Sequence, residues 1–137
     1  MPENRQFSIA VHVMATLGYN KSPVTSGTIA QSVNTSPSFV RRVLAKLSKA
    51  RLVKTSTGKT GSAMLARPAE TISLLEIYRA VEAPKAFAIH DYPEQKICPV
   101  SCSIKPVLRV VQDRTQALME SGLSEVSLSE IIADLKN

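Results

Sequence analysis

The chain has 137 residues and a hydrophobic fraction of 44%, which predicts one domain, or a small domain with an appendage, around a substantial core. Aromatic residues contribute only 4% and Trp is absent, so aliphatic side chains must build that core. Two Cys are too few for a disulfide scaffold, no apolar run approaches the ~20 residues of a membrane span, and the first residues lack the basic-then-apolar pattern of a secretion signal, so we expect a cytoplasmic protein.

Charge is unevenly distributed along the chain. The net charge is +6, but residues 1–68 hold ten Lys and Arg against one acidic residue, a balance of +9, whereas residues 69–137 hold seven against ten, a balance of −3. The basic half favours an anionic partner, although charge alone does not choose between nucleic acid and a membrane surface.

The basic half has the pattern of three helices. Apolar residues at helical spacing predict a first helix over residues 4–19. The second helix is predicted to begin near Ser26, as its N-cap, and a tight turn then leads to Ser36, which caps the third helix. Pro37 occupies the first helical position, where its missing N–H costs nothing, and this helix is predicted to run to about Ala50.

Two short strands are predicted after the third helix, over residues 52–56 and 63–66, on either side of a polar tip with two glycines. Two helices joined by a tight turn and followed by a basic hairpin are the pattern of a winged helix-turn-helix, a module that reads duplex DNA. We assign this module to residues 1–82.

The acidic half is predicted to be helical apart from one irregular segment. A capping box at residues 73–76 opens a helix that runs to about Glu82. Residues 83–104 form a loop that contains both Cys, and residues 105–137 contain a long helix to about residue 121 and a short last helix. The predicted fold class is therefore mainly α with a small β-hairpin, a winged helix-turn-helix plus a long C-terminal dimerisation helix.

The predicted third helix has an apolar face and a basic face. The apolar stripe must face the core and comprises Val40, Val43, Leu44 and Leu47. The opposite face and its flanks hold Ser38, Arg41, Arg42, Ala45, Lys46 and Lys49. The B-DNA major groove admits one α-helix, and Arg pairs with guanine through two hydrogen bonds, so this face suits base reading.

DNA contacts are assigned from the way recognition helices dock, with their N-terminal residues nearest the bases. The candidate base readers are Ser36, Ser38, Phe39, Arg41 and Arg42. Lys46 and Lys49 suit phosphates. The other candidates lie at the start of the second helix and on the hairpin, and are Ser26, Thr28, Lys54, Thr57 and Lys59.

Two alternatives stay open for these residues. The basic face could be an ordinary solvated helix face, and Phe39 could belong to the core, because it lies between the two faces. The further cations of the hairpin, Lys54, Lys59 and Arg67, favour DNA.

Several short motifs run through the module and beyond it: Ile29-Ala30, Ser36-Pro37-Ser38-Phe39-Val40, Val43-Leu44-Leu47, Leu52-Val53, Gly58, Leu65-Ala66-Arg67-Pro68, Ile72-Ser73-Leu74, Glu76-Ile77 and Ala80-Val81-Glu82. In these motifs the sequence resembles the Rrf-type family of bacterial winged-helix regulators, which includes the iron–sulfur cluster regulator, the nitric-oxide-sensing repressor and the cysteine-metabolism repressor. The resemblance implies a homodimeric transcription factor, usually a repressor, with base contacts at the start of the third helix, minor-groove contacts on the wing and dimerisation through the long helix.

The apolar residues of the long helix agree with such a dimer, because they give this helix more apolar surface than the flank of a small domain should expose to water. They are Val107, Leu108, Val111, Leu118 and Met119. Two positions depart from the family pattern. The tip exit is Gly61-Ser62-Ala63 where the family often has Gly-Gly-Tyr, and the loop holds two Cys where cluster-binding members hold three.

Cys98 and Cys102 leave three interpretations open. With an outside ligand such as His90 or Asp91 they could hold a metal or cluster, for which two Cys are a weak signal. They could instead form a reversible disulfide or supply a thiol that senses oxidants or electrophiles. They could also be small, partly buried hydrophobes without a role. We expect no iron–sulfur cluster and no other cofactor or metal.

The sequence carries no catalytic constellation, so an enzyme is not predicted. We predict a bacterial, homodimeric, sequence-specific DNA-binding regulator, a repressor whose partner is a double-stranded operator. If Cys98 and Cys102 sense a signal, we expect it to be an oxidant or an electrophile. One alternative is a small thiol redox protein, which the spacing of the two Cys and the lack of a thioredoxin-like pattern disfavour. The other is a winged helix used only for protein assembly, which would not need four cations on the exposed helix face.

Overall fold

The computed structural model describes residues 5–56 and 61–135, which form six α-helices and three short strands. In chain order they are α1 (Gln6–Tyr19), β1 (Val24–Thr25), α2 (Ser26–Val33), α3 (Pro37–Lys49), β2 (Val53–Ser56), β3 (Ser62–Leu65), α4 (Leu74–Ala80), α5 (Pro99–Ser124) and α6 (Leu128–Leu135). A single turn of 3-10 helix, Ala69–Thr71, precedes α4. Within these residues no helix is both long and apolar enough to cross a membrane. The predicted class, mainly α with a small β-hairpin, is confirmed, and a third strand joins the hairpin.

The start of α2 differs from the prediction. Thr25, not Ser26, caps the helix, because its Oγ1 accepts the Thr28 N–H at 3.2 Å from an extended backbone conformation. Ser26 is the first helical residue and only 7% of its surface is exposed. Ser and Thr are both favourable caps, so the sequence alone did not separate two adjacent candidates.

The sheet contains a strand that sequence reasoning missed. β3 lies between β1 and β2, and both neighbours pair with it in antiparallel register, Val24 opposite Ala63 on one side and Thr55 opposite Ala63 on the other. β1 has only two residues, too few for an alternating pattern. The wing is therefore joined by backbone hydrogen bonds to the segment that leads into α2.

The chain divides into two units whose boundaries differ from those predicted. One unit reaches to Ala83 and resumes at Leu123, and the second comprises Pro84–Gly122. The last helix, α6, therefore belongs with the winged helix-turn-helix rather than with the long helix that is predicted to dimerise. The reason is its apolar face, since Leu128 is fully buried and Ile132 is 9% exposed in the core of the first unit.

α5 begins six residues earlier than predicted. With the predicted start at residue 105, Pro106 would lie in the first turn, where Pro is common. Instead Pro99 is the first residue of the helix and Pro106 lies inside it, as does Gly122, which is beyond the predicted end at about residue 121. Residue Cys102 consequently lies on α5 and Cys98 immediately before it.

Candidate nucleic-acid interface

The helix-turn-helix is formed by local hydrogen bonds at the turn between α2 and α3. Asn34 adopts a left-handed conformation (φ 64°) that Asn tolerates better than most residues, and the Thr35 N–H donates to Ala30 O at 3.0 Å. Ser36 then caps α3, its Oγ accepting the Phe39 N–H at 3.1 Å, with Pro37 first in the helix, as predicted. These contacts fix the direction in which α3 leaves the turn.

The two faces of α3 have the burial that the sequence predicted. Val40, Val43, Leu44 and Leu47 are at most 3% exposed. The opposite face exposes Ser38, Arg41, Arg42, Ala45 and Lys49, with Ser36 exposed at the cap and Lys46 half-buried. In the described parts of the chain none of these cations forms an ion pair with an acidic residue, so their charges are available to an external anion.

Phe39 lies between the two faces and contacts both. It is half-buried and packs against the core, while the Arg42 guanidinium carbon lies 5.3 Å from the centre of its ring. A cation over an aromatic face is attracted to it, which restricts the side chain of Arg42 without using its N–H donors fully. Phe39 therefore restricts the position of the Arg42 side chain and also packs against the core.

The wing lies beside α3 and encloses a cleft with it. The cleft has a volume of about 200 Å³ and is lined by Ser26, Arg41, Leu44, Ala45, Thr55, Ser56, Gly61 and Ser62. At its end the Ser56 and Ser62 hydroxyls are 2.7 Å apart, and the buried Ser26 donates its N–H to Gly61 O at 3.3 Å. Ser26 thus links α2 to the wing, and its burial contradicts the prediction that its side chain contacts DNA.

Two of the remaining predicted DNA-contact residues lie within the described parts of the chain. Thr28 is exposed at the start of α2, and Lys54 is exposed on β2 opposite Met64. Thr57 and Lys59 lie outside the described residues. Arg51, which sequence reasoning did not single out, is an exposed cation in a left-handed conformation (φ 64°) just after α3, and the run of Lys and Arg around it was the signal that could have found it.

Arg67 is not part of the exposed basic surface, contrary to the prediction. Its Nη2 donates to both carboxylate oxygens of Glu76, at 2.8 and 2.7 Å, and to Thr71 O. Glu76 also accepts the Ser73 N–H in the predicted capping box of α4. Partial burial alone would raise the pKa of Glu76, but the hydrogen bonds from Arg67 and Ser73 and the charge of Arg67 outweigh burial and hold that pKa below its ordinary value.

In the second unit the two cysteines lie in a hydrogen-bonded loop at the start of α5. Both are free thiols and exposed, so they are not the partly buried side chains that one of the three interpretations assumed. Cys98 Sγ accepts the Ser101 N–H at 3.4 Å, and the Cys102 thiol donates to Gln95 O at 3.4 Å. His90 stacks on Tyr92 with ring centres 5.0 Å apart.

The donor set at this loop does not fit an iron–sulfur cluster. Such clusters are normally held by four ligands, mostly Cys. The chain contains two Cys, and within residues 5–56 and 61–135 no three His, Cys, Asp or Glu side chains are placed to hold a metal ion together.

α5 exposes large apolar side chains along its length. Of the five residues predicted to dimerise, Val107, Val111 and Leu118 are 57%, 45% and 76% exposed, whereas Leu108 and Met119 are half-buried. Sequence reasoning missed three more exposed apolar residues on or next to this helix, Ile97, Val100 and Val110.

Known proteins are similar over nearly the whole chain. A family model, Rrf2, described as an iron-dependent transcriptional regulator, matches residues 4–134. The "Putative HTH-type transcriptional regulator YwnA" of Bacillus subtilis (strain 168) is 35% identical over 133 residues, 96% of this chain and 98% of that protein.

Solved structures share the fold. The structure of CymR (YrzC), the global cysteine regulator of B. subtilis, has a TM-score of 0.70 at 20% identity and covers 97% of each chain. That of T. potens IscR has a TM-score of 0.71 at 22% identity, covering 98% of this chain and 88% of the other. The chain is thus a winged-helix DNA-binding transcriptional regulator rather than an enzyme, and it belongs to the Rrf2 family.

Proposed function

We propose that this regulator is a homodimeric repressor that inserts the N-terminal half of α3 into the major groove of its operator. The observation that carries the proposal is the exposed Arg42, oriented by the Phe39 ring and without an acidic partner in the described parts of the chain. A guanidinium held in this way loses less conformational freedom when it forms two hydrogen bonds to a guanine. Arg41, which precedes Arg42 and flanks this face, is the second candidate reader.

Phosphate contacts are assigned to the cations farther from the start of α3. Lys46 and Lys49 lie on its last two turns, and Lys54 lies on β2. Charges on long flexible stems suit phosphate oxygens, whose contacts position a protein without reading sequence. Ser36, Ser38 and Thr28 supply hydroxyls at the two helix starts, Phe39 positions Arg42, and Thr57 and Lys59 stay candidates for the wing tip. We withdraw Ser26, because it is buried.

Dimerisation is assigned to α5. An exposed apolar stripe of this length is unusual on a monomer, and burying it against a second copy around a two-fold axis removes it from water. A dimer also meets the geometry of operators, whose half-sites lie one helical turn, about 34 Å, apart. The proposed partner is therefore double-stranded DNA, bound by two copies of the chain. We expect this binding to take place in the cytoplasm.

A thiol response is assigned to Cys98 and Cys102. Exposed free thiols at the start of the proposed dimer helix can react with oxidants or electrophiles, and their hydrogen bonds to the loop would then change. Such a change acts on the segment that joins the DNA-reading unit to the dimer helix.

The decisive experiment compares two substitutions on specific and random duplex DNA. Arg42→Ala should weaken operator binding by about 1–3 kcal/mol per half-site and relax the preference at one base pair in each half-site. Lys49→Ala should weaken binding to both duplexes about equally and lower the slope of log K against log salt concentration by about 0.9 per copy, or about 1.8 for the dimer.

A matched control is Lys85→Ala, an exposed cation of the second unit that has no assigned DNA contact. This substitution should change the affinity for neither the operator nor the random duplex. If Arg42→Ala and Lys49→Ala act alike on both duplexes, the division into base readers and phosphate contacts is wrong. If neither weakens binding, the basic face of α3 is not the DNA-binding surface.

A further inference from the structure

We propose that Cys98 and Cys102 form a bidentate binding site for trivalent organoarsenicals, R–As=O, in which one arsenic atom bridges the two sulfur atoms. The proposal deepens the thiol response proposed above, because it uses the same pair and names the reagent class. It does not require oxidation of either residue.

The spacing of the two thiols suits a bridge of one atom. The Cys102 N–H donates to Cys98 O at 3.2 Å, so the residues occupy successive turns on the same side of the helix start. Side chains four positions apart within a helix have Cβ atoms about 5–6 Å apart. Cys98 lies one residue before α5 and its carbonyl accepts the first hydrogen bond of that helix, so we expect a similar spacing for this pair. A disulfide needs about 3.5–4.5 Å between Cβ atoms, and a bridging atom spans a larger gap than a direct S–S bond does.

The loop before α5 holds both sulfur atoms in place. Gln95 O accepts the Cys98 N–H at 2.9 Å and the Cys102 thiol at 3.4 Å, which keeps the second sulfur close to the backbone of the first cysteine. The loop is fixed in turn by two contacts to Ser101, from the Tyr92 hydroxyl to its O and from the Gln95 N–H to its Oγ.

The two sulfur atoms have opposite roles in their hydrogen bonds, one as acceptor and the other as donor, and this affects how each can bond to arsenic. Cys98 Sγ is an acceptor, from the Ser101 N–H, so it can keep this contact after it loses its proton. Cys102 Sγ is a donor and must release Gln95 O when its S–H is replaced by a bond to arsenic. Binding is therefore expected to loosen the loop from the start of α5.

The reaction balances without an oxidant or a reductant. Two As–S bonds form, the two bonds of the As=O group break, and the oxygen leaves as water with the two thiol protons. Arsenic stays trivalent and both sulfur atoms keep their oxidation state. Once the first bond forms, the second is intramolecular, which favours chelation over two separate single-thiol adducts by about 100-fold.

The test uses the full chain, reduced, with phenylarsine oxide as the probe. Intact-mass measurement should show one arsenical per chain with loss of one water, and thiol titration should fall from two per chain to none. A small dithiol should reverse the adduct and a monothiol should not.

The matched control is the double variant C102S/S103C, which keeps two thiols but places them five positions apart, on different sides of the helix; Ser103 is exposed. It should bind the probe about 100-fold more weakly.

Variants with a single cysteine replaced test whether loss of the adduct results from unfolding of the helix start. Cys98→Ser places a preferred capping residue before α5, so the helix start is kept, and this variant and Cys102→Ser should both lose the monothiol-resistant adduct. Equal affinity of the native chain and C102S/S103C, or two arsenicals per chain, would overturn the proposal. Operator affinity is measured separately: a bridged adduct that leaves DNA binding unchanged contradicts the thiol response but not the site.

Discussion

Leu118→Glu tests the proposed dimer most directly. Complete burial of a Leu side chain is worth about 2 kcal/mol. Because 76% of Leu118 is exposed on the single chain, its burial at an interface contributes about 1.5 kcal/mol per copy. A two-fold interface contains the residue twice, so the substitution should weaken dimerisation by about 3 kcal/mol, or more than 100-fold in Kd. Two carboxylates near the axis add repulsion to this loss.

Sedimentation velocity at micromolar concentration measures the effect. The native chain should sediment as a dimer and Leu118→Glu as a monomer, with unchanged helix content and a large loss of operator affinity. Leu135→Glu is the matched control, since Leu135 is 58% exposed but lies on α6, which is not part of the proposed interface, and should leave the dimer intact. A native monomer, or a Leu118→Glu variant that sediments as a dimer, would refute the reasoning.

Two further predictions concern the DNA-reading unit. Because Arg67 and Ser73 hold the folded-state pKa of Glu76 below its ordinary value, its stabilising contribution is complete above the ordinary pKa of Glu, about 4.3. That contribution is lost as the pH falls through the lowered pKa, so Glu76→Gln should flatten the fall of Tm in acid. Parallel curves for Glu76→Gln and the native chain would contradict this assignment. Leu128→Ala, at a fully buried position, should lower the free energy of unfolding in urea by about 2–5 kcal/mol; a loss no larger than that of the exposed Leu135→Ala would mean that α6 is not part of the core.

The parts of the fold that the sequence predicted are those set by neighbouring residues. The Ser36 cap, Pro37 and the apolar stripe of α3 are local signals, and the Ser73 and Glu76 capping box is another. β1 was missed because its two residues are a strand only through their pairing with β3. Arg67 was misjudged because its partner Glu76 lies nine positions away in sequence, and a cation on a hairpin looks the same whether it is paired or free.

The candidate site was predicted in outline for the same reason. Charge and helical periodicity are visible in the sequence, so the basic face of α3 could be identified. The contact between Arg42 and Phe39 depends on a residue that lies between two faces, and periodicity alone left its role open. The start of α5 was placed too late because Pro106 is tolerated inside a long helix, at the cost of one hydrogen bond.

That lost hydrogen bond has a consequence for how α5 opens. Pro106 has no N–H, so it cannot donate to the carbonyl of Cys102, one turn earlier, and the ladder is interrupted between the first two turns of the helix and the rest. Segments separated by such an interruption can unfold with different free energies. We expect amide hydrogens of residues 100–105 to exchange with solvent faster than those of the turns that follow, so the cysteine-bearing end can fray while the remainder of the helix stays folded.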